Sequence, residues 1–180
     1  MPQLTRPTVE VRDSFLGAMD EFREEAGDWF GGNSMIAEEV RVYGGCWTSP
    51  EGFAEYVADV RAAAENDRRP ANWVAATVLW YVDGTRWLGR IALRHEYTRH
   101  LLEQGGLIGY EVRPTARRRG HATAMLRDAL PFAAERGFDR VLITCDADNV
   151  ASRKVIESCG GALEDRRGKK LRYWVPTAPA

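Results

Sequence analysis

Cysteine is scarce in this chain. Cys46, Cys145 and Cys159 form no Cys-x-x-Cys and are odd in number, which argues against a disulfide framework or a thiolate zinc site. No apolar run approaches the ~18 residues that cross a bilayer. The opening Met-Pro-Gln-Leu-Thr-Arg-Pro has no apolar stretch of the signal-peptide kind. Charge of one sign is not in excess. A net charge of −1 gives no global drive towards nucleic acid or an anionic membrane. The Gly-Lys-Ser/Thr of a phosphate-binding P-loop is absent, which disfavours nucleotide hydrolysis. Internal repeats and low-complexity linkers are absent too. These absences leave a reduced, cytoplasmic protein, and 180 residues with 44% apolar content suit one domain with a sizeable core.

The apolar pattern supplies the elements. Phe15, Met19 and Phe22 recur at helical spacing within residues 8–26. The Gly- and aromatic-rich stretch from Gly27 to Gly45 reads as an irregular loop. Ser49-Pro50-Glu51 is a helix start, with a hydroxyl cap, a proline at the first helical position and an acid behind it. Phe53, Tyr56, Val57 and Val60 continue that helix, which Asn66-Asp-Arg-Arg-Pro70 ends. Residues 73–82 and 87–93 read as strands about Asp83-Gly84, a hairpin signal. Residues 94–104 form a polar connection to a strand over 105–112. A helix from Ala122 to Gly137, a strand over 141–146, a helix opened by Asn149 and a hairpin turned at Arg167-Gly168 complete the chain. This order predicts an α/β domain whose mixed sheet carries helices on its faces, with the 106–146 crossover parallel and right-handed.

The densest chemistry lies in Val112-Arg-Pro-Thr-Ala-Arg117-Arg118-Arg119-Gly120-His121-Ala122. A strand, a short basic turn with a glycine and a helix start together make an anion site, because first-turn amides have no intrahelical partner and the helix dipole adds positive charge there. Three arginines without an aromatic platform do not make a nucleic-acid surface. Asp146 and Asp148 are a poor metal pair, and no metal is expected.

Arg117-x-x-Gly120-x-Ala122 after a strand ending Val-Arg-Pro resembles the acyl-CoA pyrophosphate motif of the GNAT N-acetyltransferase superfamily. Val141-Leu-Ile-Thr-Cys-Asp146 followed by Asn149-x-x-Ser152 resembles the family's next strand and helix. Leu171-Arg-Tyr-Trp-Val175 is similar to the closing strand of a bacterial group of predicted acetyltransferases. The likeness spans residues 73–175. It implies a splayed central sheet, with residues 1–70 covering the acceptor side and acetyl-CoA as donor. Arg117, Arg118, Arg119, Gly120, His121 and Ala122 would then hold the pyrophosphate. The backbone of Tyr110, Glu111 and Val112 would pair with the pantetheine, and Asn149 and Ser152 would touch it. Asn149 also suits a plain helix cap. Many relatives carry a tyrosine seven residues after the asparagine; here that position is Ile156. A thiol of pKa ~8.5 leaves as thiolate without a general acid.

Two base candidates follow: Glu111 on the central strand, and His95, whose ordinary pKa near ~6.5 suits proton removal. A salt-bridged carboxylate and a structural histidine are the competing readings. The acceptor is an amine of a small molecule or a peptide. Trp29-Phe30, Trp47 and residues 53–60 are placed around its pocket, with Asp28, Glu38 and Glu39 as candidate cation partners. A homodimer through the last hairpin is open, and a CoA-binding sensor with little turnover is the alternative function.

Overall fold

The computed structural model describes residues 1–27, 34–65 and 74–178. Trp29-Phe30, Asp28, Trp73 and the 66–70 helix stop lie outside the described residues. In chain order the elements are β1 (Gln3–Thr5), α1 (Arg12–Ala26), α2 (Met35–Tyr43), α3 (Pro50–Ala62), β2 (Ala76–Asp83) and β3 (Arg86–Arg94). They continue with β4 (Ile108–Val112), α4 (His121–Glu135), β5 (Arg140–Asp146), α5 (Val150–Ser158), β6 (Ala162–Arg167) and β7 (Lys170–Pro176).

One element contradicts the loop expected over 27–45. Ser34 caps α2 by accepting from the Ala37 amide at 3.1 Å. Ile36, Ala37 and Glu39 are buried along that helix. The flanking glycines hid a helix only nine residues long. The polar connection expected over 94–104 also contains a wide turn at Leu101–Gly105.

β1, β2, β3 and β4 form one antiparallel sheet in that order, and β5, β7 and β6 form a second. The expected parallel pairing of β4 with β5 is reduced to a single backbone bond, Leu107 N–H to Leu142 O at 2.7 Å. Gly106 permits that contact. It adopts φ +66°, and a Cβ there would sit 2.9 Å from the Leu142 carbonyl oxygen. Beyond this point the two strands diverge.

The divergence leaves two strand edges unpaired. Leu107 O accepts from Arg94 N and Arg113 N donates to Leu88 O, so residues 107, 109, 111 and 113 bond to β3. Alternation then turns the peptide groups of Ile108, Tyr110 and Val112 away from β3 and into the gap. On β5, Ala147 N donates to Lys169 O and Thr177 N to Asp139 O. The peptide groups of Thr144 therefore face the same gap, whereas those of Leu142 are taken by the Leu107 amide and by the Tyr97 hydroxyl, to which Leu142 N donates at 2.9 Å.

Both faces of the first sheet are covered, which explains its nearly continuous apolar strands. Val78, Trp80 and Val82 of β2 pack beneath α1 and α3. Leu79 and Tyr81, on the opposite face, pack with α4. Phe15 of α1 centres the first cluster. Its ring lies 5.0 Å from Trp47, 5.3 Å from Phe53, 5.4 Å from Trp80 and 5.5 Å from Trp87. Trp47 and the 53–60 face are thus core rather than pocket, contrary to the sequence reading. Truncating a fully buried phenylalanine costs about 3–5 kcal/mol. Phe15→Ala should lower the urea midpoint accordingly, without altering the sheet signature in circular dichroism.

Candidate functional site

Two cavities meet at the gap. The first, of about 750 Å³, runs between the C-terminal end of α1, β4, the 116–123 turn and α5. Tyr110, Glu111, Val112, Arg117, Arg118, Gly120, His121, Ala122, Asn149 and Ser152 all line it. Arg119 is exposed and does not. The second cavity, of about 1110 Å³, opens on the other side of β4 towards α2, β3 and β5. Ser34, Tyr110, Glu111, Asn149 and Ser152 line both, so they form the wall between the two. Glu38 and Glu39 line the second cavity.

The first cavity ends in a run of free donors. Arg117 N bonds back to Pro114 O, and Ala124 N to Gly120 O. Between them, the amides of residues 118–123 have no acceptor among the described residues. Arg118 at φ +63° and Gly120 at φ +81° shape this stretch. A non-glycine residue in that region costs about 1–2 kcal/mol, and alternating left-handed backbone of this kind turns successive N–H groups inward on an anion. Gly120 is itself the cap of α4 and offers no side-chain acceptor to its first turn. A helix N-terminus left uncapped beside a cavity has donors and dipole charge that an external anion could meet. His121 stands here too. Burial and the charges of Arg119 and Arg86 push its pKa down, favouring the neutral ring.

Sequence reasoning missed what holds this turn. Glu21 of α1 accepts from Arg113 Nε at 2.7 Å and from the Thr115 amide at 3.1 Å. Glu25 forms a forked pair with Arg117, whose Nε also reaches Val112 O at 3.1 Å. The Arg117 guanidinium also lies over the Phe22 ring. The α1 spacing Glu21, Phe22, Glu25 was visible as a polar stripe with one aromatic, but nothing local pointed it at a turn nearly a hundred residues on. Arg117 is thereby fixed chiefly by protein partners. Its pair with Glu25 is half exposed, a class worth about 0–1 kcal/mol.

Glu21 is the stronger clamp. Burial raises its pKa, but the Arg113 and Thr115 donors outweigh burial and hold it below its ordinary 4.5. A depressed carboxyl contributes stability that is present above the unfolded value and lost as pH falls through the folded one. Glu21→Gln should therefore cost about 1–3 kcal/mol at pH 7. The difference from the parent chain should close as urea titrations are repeated progressively below pH 4.5.

Asn149 behaves as a cap: its Oδ1 accepts from Ser152 N at 3.0 Å. The Tyr110 hydroxyl lies 2.8 Å from Ser152 Oγ, bridging the wall from β4 to α5. Burial raises the Tyr110 pKa well above its ordinary 10.0, so the phenol keeps its proton. Ile156 is fully buried in the core beneath α5. Cys145 is buried as well, and burial raises its thiol pKa.

Glu111 is the acid at the junction. Its carboxylate accepts from the Ile36 amide at 3.1 Å and from Arg90 Nε at 3.2 Å. Burial pushes its pKa up, while Arg90 and the Ile36 amide hold it back. Arg90 is 3% exposed and also pairs with Glu39, which accepts from the Tyr56 hydroxyl at 2.6 Å. His95 is not brought to this junction. Its Nε2 lies 2.9 Å from Thr77 Oγ1, and it lines neither cavity. Among the described residues no group of three or more His, Cys, Asp or Glu side chains is placed to hold a metal. None of the described helices is long and apolar enough to cross a membrane.

The model of the acetyltransferase (GNAT) domain family matches residues 21–162. The match begins at the clamp residue Glu21, well before the stretch that carried the sequence resemblance. No curated protein matches the chain. Among solved structures it is similar to the microcin C7 self-immunity acetyltransferase in complex with acetyl-CoA and AMP, at 14% identity and a TM-score of 0.65, covering 97% of this chain and 92% of that one. It is similar to the ribosomal-protein-S5-alanine acetyltransferase of Vibrio fischeri, at 14% identity and a TM-score of 0.65, covering 98% and 92%. It is also similar to the PaiA N-acetyltransferase of Thermoplasma acidophilum in complex with coenzyme A, at 13% identity and a TM-score of 0.57, covering 98% and 99%. At these identities the likeness is one of fold.

Proposed function

The chain belongs to the acetyltransferase (GNAT) family, and on that footing we propose that it moves an acetyl group from acetyl-CoA to a primary amine, by direct attack with both substrates bound. The observation that carries this reading is the run of unpartnered amides at 118–123, at the mouth of a cavity whose far wall is Glu111. The named complexes with acetyl-CoA and coenzyme A support it.

In this reading the diphosphate sits on the 118–122 amides, with Arg118 adding charge. Several convergent donors are needed, because one exposed helix-terminus contact is worth only about 0.3–1 kcal/mol. Arg119 contributes long-range charge from the surface. The pantetheine arm lies along the outward peptide groups of Tyr110 and Val112 as an added strand. Asn149, its Oδ1 spent on the cap, offers its Nδ2 donor to the arm. The thioester then reaches the Tyr110–Ser152 wall, and the amine enters from the second cavity.

Attack forms the C–N bond and breaks the C–S bond. Glu111 takes the amine proton, directly or through one water. An outward amide of β4 steadies the developing oxyanion. Tyr110 and Ser152 share one hydrogen between their paired oxygens, and the hydroxyl left with a free O–H donates it as a hydrogen bond to the departing thiolate, in place of the tyrosine that Ile156 precludes. A Tyr110 with a raised pKa serves as a hydrogen-bond donor and does not give up its proton. His95 is the competing base, and its bond to Thr77 away from both cavities favours Glu111. The acceptor is an amine of a small molecule or a peptide; the second cavity is large enough for an extended segment.

Two variants of one residue separate charge from strain. Gly120 has room for a Cβ but sits at positive φ, so Gly120→Ala and Gly120→Asp share the backbone cost and differ in charge. Calorimetry with coenzyme A should show Gly120→Asp binding at least tenfold more weakly than Gly120→Ala. Equal affinities for the two would remove the diphosphate assignment. A panel of amines assayed with acetyl-CoA tests turnover: Glu111→Gln should abolish the acid limb of kcat/KM and lower the plateau about 10²–10⁴-fold, whereas His95→Ala should leave both in place. The reverse outcome would transfer the role of base to His95, and coenzyme A binding without turnover on any amine would favour a sensor.

A further inference from the structure

The proposed base does not stand alone. Arg90, in the middle of β3, lies opposite Glu111 in the ladder and is 3% exposed. It meets two carboxylates. Its Nη1 pairs with Glu39 of α2, and its Nε donates to Glu111 at 3.2 Å. Glu39 is itself buried, and Tyr56 of α3 donates to it at 2.6 Å. From α2, the Ile36 amide donates to the same Glu111 carboxylate. Among the described residues, the groups that act on Glu111 are Arg90 from β3 and Glu39 and the Ile36 amide from α2, with Tyr56 one bond further out on α3.

A buried guanidinium shared between two carboxylates is costly to assemble. Packing alone does not call for it, since the neighbouring core is aromatic and apolar. The arrangement divides the cation. Glu39 pairs with the terminal Nη1 of Arg90, and Glu111 accepts from the Nε, on the side where the two cavities meet. We propose that Glu39 is a positioning residue for acetyl transfer: by competing with Glu111 for Arg90, it keeps the Glu111 carboxylate a strong enough proton acceptor and ties its placement to the helix α2 that borders the second cavity. This rests on Glu111 being the base. The raised Glu111 pKa, to which burial contributes most and Glu39 adds, agrees with it.

The test is the pH profile of kcat/KM at saturating acetyl-CoA. Glu39→Gln removes the competitor, so Arg90 acts on Glu111 alone. The acid limb should move down by about one pH unit, and the plateau should fall several-fold to tenfold with the weaker base. Affinity for coenzyme A should be unchanged. Tyr56→Phe leaves every charge in place but removes the hydroxyl from Glu39. It throws Glu39 more heavily on Arg90 and should move the limb the other way, to higher pH. Tyr56→Phe also keeps the test open should Glu39→Gln fail to fold, which a melting scan reports.

Loss of activity in both variants with an unmoved limb would mean that the cluster is structural, and would overturn the proposal. The same holds if Glu39→Gln shifts the limb as much in a Glu111→Gln background as in the parent. If Glu111→Gln alone leaves the limb intact, the base assignment fails and the positioning role fails with it. If Glu111→Gln removes the limb while Glu39→Gln leaves it in place, only the positioning role is lost.

Discussion

The bond between Leu107 N–H and Leu142 O is the point from which the site opens. It brings β4 and β5 together at one end, through a glycine whose missing Cβ lets the backbones touch. Beyond it the two sheets part, and each turns one edge strand, β4 or β5, to the gap. An open edge is normally a liability that a protein covers or blunts. Here the edges face each other across a gap, which leaves their peptide groups open to a ligand in the proposed reading. Two cavities meet at the gap, with Ser34, Tyr110, Glu111, Asn149 and Ser152 shared between them. A donor and an acceptor approaching from opposite sides would meet only at that wall.

Charge is distributed to match. Around the 118–123 turn, donors point outward from the chain, and the α1 acids Glu21 and Glu25 hold the turn from behind. Around Glu111, by contrast, the ions are paired internally and largely sealed by α2 and α3. The first arrangement suits capture of an anion from solvent. The second suits a carboxylate whose affinity for a proton is set by fixed neighbours. The family match, which begins at residue 21, takes in the α1 clamp residues Glu21 and Glu25 and all of α2.

The sequence made part of this legible. Arg117-x-x-Gly120-x-Ala122 located the turn at the head of α4 because its signal is local: a glycine, found at a left-handed position, just before a helix start without a side-chain cap. Ser49-Pro50 and Asp83-Gly84 marked their helix and hairpin for the same reason. The gap was harder to see. Apolar strands on either side of a helix suggest a parallel crossover, and only the contact at Gly106 shows that the pairing stops after one bond. The pocket residues placed around Trp47 and Phe53–Val60 proved to be core, because aromatic composition does not distinguish a cavity wall from packed interior. The charges that organise the site escaped altogether. Glu21 with Arg113, Glu25 with Arg117 and Glu39 with Arg90 are pairs separated by 92, 92 and 51 positions, and no periodicity reports such partners.

The account stands most directly on the amides at the head of α4. Backbone resonances of the 15N-labelled protein, followed while coenzyme A is titrated in, read each of those N–H groups individually. The account predicts that the largest downfield amide-proton shifts fall on residues 118–123, with smaller changes on Tyr110 and Val112, and that pantetheine without its diphosphate leaves the 118–123 signals in place. Shifts clustered elsewhere, or equal shifts at 118–123 from pantetheine alone, would contradict it.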